Sequence, residues 1–179
     1  PANDSSRKYE WEGGCEDPRI VEDDRGTYYM TYTAYDGTTA RLFIATSNDL
    51  IHWKKHGSVF KKAEGGKYID YWSKSGSIIT TRKGDKMVAT KINGKYWMYW
   101  GEQFINLAWS ENLTDWYPTE NEKGELKRIV ETRPGKFDSD LTECGPPAVL
   151  TDKGILLLYN GKNATTEKAD PSLPKGMYS

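Results

Sequence analysis

The sequence predicts an all-β fold. Three observations carry that reading. Short runs rich in Tyr, Thr, Val and Ile are bounded by Gly, Asn or Asp; no stretch of ~12 residues or more keeps a helical period; and one strand–turn–strand pattern recurs along the chain. The first run, TYYMTYTAY (27–35), joins β-branched and aromatic residues that suit a pleated surface. Asp36-Gly37 marks a turn, and ARLFIATS (40–47) follows it. KMVATKI (86–92), KYWMYW (95–100), INLAWS (105–110) and GILLLYNG (154–161) have the same character and are read as one strand each.

Composition narrows the function. The net charge of the 179 residues is −1 and the pI about 6.2, so no basic field attracts nucleic acid. No apolar run approaches the ~20 residues that span a bilayer. Two cysteines, Cys15 and Cys144, are too few for a disulfide scaffold, and neither sits in a CxxC pair, so no metal site is expected. Seven Trp and twelve Tyr stand against four Phe. Rings with a polar tip suit sugar stacking as well as a β-rich core. The composition is compatible with a periplasmic or secreted location and equally with the cytoplasm.

The repeat is the more informative signal. GTYYMTY (26–32) is echoed by GKYWMYW (94–100), and ATSNDLIHW (45–53) by AWSENLTDW (108–116). A third copy starts at GPPAVLTDKGILLLYNG (145–161), parallel to DPRIVEDDRGTYYMTY (17–32). A spacing of roughly 60 residues suits one four-stranded propeller blade with decorated loops. The Trp ending each copy, Trp53 and Trp116, is expected between neighbouring sheets. About three blades fit, fewer than the roughly four a closed ring needs. The chain therefore reads as one partial β-propeller domain over residues 1–179, holding central blades. A complementary segment, or a second copy in a homo-oligomer, would complete the ring.

Six blocks in order, GGCEDPRIV, YYMTYTAYDG, RLFIATSNDLIHW, KINGKYWMYWGE, FDSDLTECGPPAVLT and GILLLYNGKN, resemble glycoside hydrolase family 130. The resemblance runs from about residue 9 to 179 and implies a five-bladed β-propeller acting on β-mannosides, with the family's first blade and last portion lying outside this sequence. It further implies that Asp17 is the proton donor, acting through a sugar hydroxyl. From residue chemistry alone, Glu16 and Asp17 serve equally as ion-pair partners of Arg19.

Glu102 follows an aromatic strand, and Glu143 lies just before the third copy, in parallel with Glu16 and Asp17 at the start of the first. Inversion at a glycosidic bond needs an acid on one side and a base holding water on the other, and these two glutamates suit the base. The plainer alternatives are a loop acid at Glu102 and an arginine partner at Glu143. The family's phosphorylases resemble one another in a His-Arg pair after the KINGKY strand, where this chain reads Trp100-Gly101-Glu102. A carboxylate repels phosphate but accepts a proton from water, which favours hydrolysis. Lys74, Lys86 and Lys91 keep open a phosphorylase forming mannose 1-phosphate, the one case in which inorganic phosphate would be a co-substrate; no cofactor is expected otherwise. Arg19, Arg41, Lys74, Lys91, Trp100 and Asp138 are the candidate substrate-binding residues, and an oligosaccharide is the expected partner. A non-catalytic carbohydrate-binding propeller is the remaining alternative, and convergence of Asp17, Glu102 and Glu143 would speak against it.

Overall fold

The computed structural model describes residues 3–179. Helix α1 (Arg7–Glu10) is a single turn. Four strands follow, β1 (Gly14–Glu22), β2 (Tyr28–Tyr35), β3 (Ala40–Ser47) and β4 (Lys54–Ser58), each antiparallel to the next. A second group comprises β5 (Ser77–Ile78), β6 (Thr80–Lys83), β7 (Lys86–Ala89), β8 (Lys91–Ile92), β9 (Lys95–Trp100), β10 (Ile105–Ser110), β11 (Trp116–Pro118) and β12 (Arg128–Val130). Here β5, β9, β10 and β11 form the second four-stranded antiparallel meander. The third group has β13 (Leu141–Cys144) paired with β16 (Tyr159–Lys162), and β14 (Val149–Thr151) paired with β15 (Gly154–Leu156). The fold is all-β, with two full meanders and the opening strand pairs of a third.

Two runs expected as single strands are split. KMVATKI breaks at Thr90, because β7 pairs with β6 while β8 pairs with β9. GILLLYNG breaks at Leu157 and Leu158, because β15 pairs with β14 and β16 with β13. Each strand changes partner midway. The hairpin β6–β7 then bridges the first and third groups through parallel pairs, Glu22 with Val88 and Val149 with Thr80.

Strand β3 shows why the sheets stack. Side chains alternate across a strand. Leu42 and Ile44 face a large core shared with Phe60, just past β4, and with Met98, Trp100, Ala108 and Trp116 of the second group. Phe43 and Ala45 face the other way, with Tyr32 and Tyr9. Tyr9 and Tyr32 meet Phe43 edge-on, with ring centroids 5.3 and 5.9 Å away. The first sheet is therefore covered on both sides.

Candidate functional site

Strand β1 carries the first candidate residues on an irregularity. Glu16 pairs with Thr33 and Arg19 with Thr31, so one extra residue is accommodated between them. Asp17 takes it up with φ at 51°, a left-handed conformation that Asp tolerates better than most residues. Pro18 has no N–H to contribute to the ladder and is therefore at home in a bulge. Arg19 holds the bulge in place. Its Nη1 donates to the Asp17 carbonyl at 3.0 Å, and its Nε and Nη2 donate to the carbonyls of Gly145 and Cys144, both at 2.6 Å. Its nitrogens are thus committed to backbone, tying the first group of strands to the third.

Glu102 reaches the same place from β9. Gly101 turns the chain with φ at 123°, and a Cβ there would lie 2.3 Å from the Phe104 carbonyl oxygen. Only glycine fits. The Gly101 N–H donates to the Lys74 carbonyl at 2.9 Å, and an antiparallel bridge sets Glu102 opposite Glu143. The Trp72 indole N–H donates to Glu102 Oε2 at 2.8 Å. The Ser75 hydroxyl donates to Glu143 Oε1, and Ser75 itself is held at a φ of 55°.

Lys74 stands in the middle. Its Nζ lies 3.4 Å from Glu16, 3.7 Å from Asp17 and 3.9 Å from Glu102. Burial opposes its charge, yet the negative charges of Glu102, Asp17, Glu143 and Glu16 outweigh burial and raise its pKa above the usual lysine value. Asp17, Glu102, Glu143 and Lys74 are thus brought together. Trp72 and Ser75, which orient two of these carboxylates, escaped the sequence reading. Their segment, YWSKSG, has no strand pattern; its one signal is an aromatic pair beside a lysine in a polar loop.

Other candidates fall elsewhere, and three are corrected. Trp100 is fully buried, tilted against Phe60 at 4.7 Å and edge-on to Tyr71 at 6.0 Å, so it is core rather than a sugar contact. Asp138 is fully buried and accepts hydrogen bonds from Arg133 Nε at 2.9 Å and Tyr159 at 2.8 Å, so it is a structural acid with no surface open to a ligand. Lys91 lies over the Tyr96 ring at 5.0 Å, four strand residues or roughly 13 Å from Trp100, and makes no ion pair with the cluster. Arg41 is buried between Asp36 at 2.6 Å and Asp70 at 2.9 Å. Lys86 pairs with Glu22 at 2.7 Å.

An open cleft of about 1050 Å³ begins at Trp72 and Glu102 and continues along Tyr71, Phe104 and the 121–131 segment. Among the described residues, no group of three or more His, Cys, Asp or Glu is placed to hold a metal, and no helix is long and apolar enough to cross a membrane.

An all-β chain that gathers carboxylates beside an aromatic-walled cleft presents the paired acids that glycoside chemistry uses. Comparison with known proteins gives the family. Residues 5–170 match the family described as β-1,4-mannooligosaccharide phosphorylase, and the chain belongs to glycoside hydrolase family 130. A 1,2-β-oligomannan phosphorylase from Thermoanaerobacter sp. (strain X514) is 32% identical over 151 residues, which is 82% of this chain and 42% of that protein. A glycosyl hydrolase structure from Bacteroides ovatus is 49% identical with a TM-score of 0.96, covering 99% of this chain and 49% of the other. Another structure is described with GH130 glycoside hydrolases that target β-1,2 mannosidic linkages in Candida mannan. It is 50% identical with a TM-score of 0.96, again covering 99% and 49% of the two chains. The chain thus spans about half the length of these relatives.

Proposed function

We propose that the protein carrying this chain is an inverting glycosidase that releases mannose from β-1,2-linked mannosides by hydrolysis, on a five-bladed propeller. The carrying observation is the charge of the cluster. Four carboxylates stand against one ammonium, Lys74, which disfavours an anionic nucleophile and favours water. In this reading Glu102 and Glu143 hold the water and take its proton as oxygen attacks the anomeric carbon. Asp17 supplies the proton that the departing sugar oxygen needs, relayed by a sugar hydroxyl. Trp72 and Ser75 fix the two bases. The resemblance to half-identical structures described as hydrolases supports the choice of water.

A second reading, an inverting phosphorylase, is favoured by one finding. The 32% identical relative is a 1,2-β-oligomannan phosphorylase, and Lys74 could hold a phosphate oxygen. Product analysis separates the two. A protein of the relatives' full length, given β-1,2-mannobiose without phosphate, should release two equivalents of mannose, the new one initially as the α-anomer. Turnover that requires phosphate and yields mannose 1-phosphate defeats the hydrolase reading. Glu102→Gln and Asp17→Asn should each lower the rate by ~10²–10⁴-fold, the usual cost of losing a positioned base or acid. Unchanged rates would take those residues out of the mechanism.

A further inference from the structure

We infer that Glu16 is a positioning residue that acts through Lys74 on the proton donor, helping Asp17 to keep its proton at neutral pH. The donor role of Asp17 is taken from the function proposed above; whether water or phosphate attacks does not enter.

Glu16 is the one carboxylate of the cluster without a task in that mechanism. Its place follows from the bulge. Successive side chains of a regular strand point to opposite faces. A regular β1 would set Asp17 opposite Tyr32, whose ring lies on the far face against Phe43. Instead the ladder shifts between Glu16 and Arg19, and Asp17 is left-handed, so Glu16 and Asp17 both turn toward Lys74. Two neighbours in sequence thus share one ammonium. Glu16 is the nearer, at 3.4 Å against 3.7 Å for Asp17.

The sharing has a definite sign. An ammonium beside a carboxyl group favours its ionised form, and a second carboxylate opposes that. An acid that must deliver a proton is served by the opposition. The Lys74 side chain is only 15% exposed, so water screens its charge weakly. The surrounding carboxylates outweigh its burial and hold it as an ammonium through the neutral range. With Glu16 uncharged, more of that positive field would fall on Asp17. The other groups around the cluster have other partners. Glu102 accepts from Trp72 and Glu143 from Ser75. Arg19 donates to three backbone carbonyls, and Arg41 is held between Asp36 and Asp70. Burial pushes the Cys144 thiol up, so it is uncharged.

The test is the pH dependence of kcat/KM, which reports the essential acid and base of the free enzyme. It is measured on β-1,2-mannobiose, with and without phosphate, for a protein of the relatives' full length. Glu16→Gln keeps the shape and removes the charge. Its alkaline limb should move down by about 0.5–1 pH unit, a modest shift for one neighbouring charge because Glu16 is nearly half exposed. Activity should therefore fall at neutral pH and return in acid, with the melting temperature close to the parent's. Lys74→Met removes the ammonium and should move the limb up. An ion pair that serves only the fold would change the melting temperature and leave the limb in place. The inference is overturned if the Glu16→Gln limb superimposes on the parent's, or if Lys74→Met moves it down. If Asp17→Asn keeps the parent's rate, the donor role and this inference fall together. If turnover requires phosphate while the limb still moves as stated, the hydrolase reading falls and this inference stands.

Discussion

The Arg19 guanidinium donates to three backbone carbonyls, one on the last residue of the strand that opens the third group and one on the residue after it. The stretch EDPR thus combines a bulge that exposes an acid with a clamp that fixes the bulge. Arg19→Leu would leave the buried Gly145 and Cys144 carbonyls without donors, at a cost of about 1–3 kcal/mol, readable as a lower denaturant midpoint. An unchanged midpoint would mean that water replaces the clamp. Asp36 has a different role. Hydrogen bonds from the Thr39 N–H, Arg41 and the Thr38 N–H lower its pKa to about 2. Its folded value lies below the ordinary 3.8, so its contribution to stability is present above the unfolded value and is lost as pH falls through the folded one. Asp36→Asn should therefore flatten the fall in melting temperature between about pH 4 and pH 2; an equally steep fall in the variant would assign the transition to other carboxylates. Residue type is legible in sequence, whereas burial is not. Trp100 and Asp138 have the chemistry of sugar contacts, yet the fold encloses both. Glu102 could be singled out because it follows an aromatic strand, Glu143 because it lies just before the third copy of the repeat, and Asp17 because it falls in a block that resembles the family.

The recurring SNDLIHW and SENLTDW segments show how a repeat in sequence becomes a repeat in geometry. Ser47 and Ser110 end their strands, and each hydroxyl accepts the N–H groups two and three residues on. Asp49 and Asn112 each cap two further N–H groups. Leu50 and Leu113 are then forced to φ values of 63° and 67°, and each Leu carbonyl accepts the indole N–H of Trp53 or Trp116. This turn was readable from sequence because its chemistry is local. The broken strands at Thr90 and Leu157 were not, because a change of partner depends on distant chain. The two tryptophans differ in what covers them. Trp116 is fully buried against the large core, whereas Trp53 is only partly buried beside the smaller one. Trp116→Ala should cost about 3–5 kcal/mol, and Trp53→Ala distinctly less. Urea melts of the two variants measure this directly. Equal losses would mean that the turn, rather than the packing of the ring, carries the stability.

At the scale of the whole molecule, one face differs from the rest. Ile20, Met87, Leu156 and Leu158 are each more than a third exposed, and together with Pro146, Pro147 and Val149 they line a concavity of about 300 Å³. These residues come from β1, β7, β14 and β15 and the segments beside them, where the first and third groups of strands meet. Gathered apolar side chains of this kind are costly to leave in water and promote association. The chain spans about half the length of its relatives, so a complementary segment or a second copy is the proposed cover. For the 179 residues alone, the expected outcome is concentration-dependent self-association in sedimentation velocity. Leu156→Lys with Leu158→Lys should suppress it, because two ammonium groups on that face oppose burial. Both positions are more than half exposed, so the double variant should keep its melting temperature, which separates lost association from lost folding. A chain that stays monomeric at every concentration would show that this face tolerates water, and the case for a cover over it would fail.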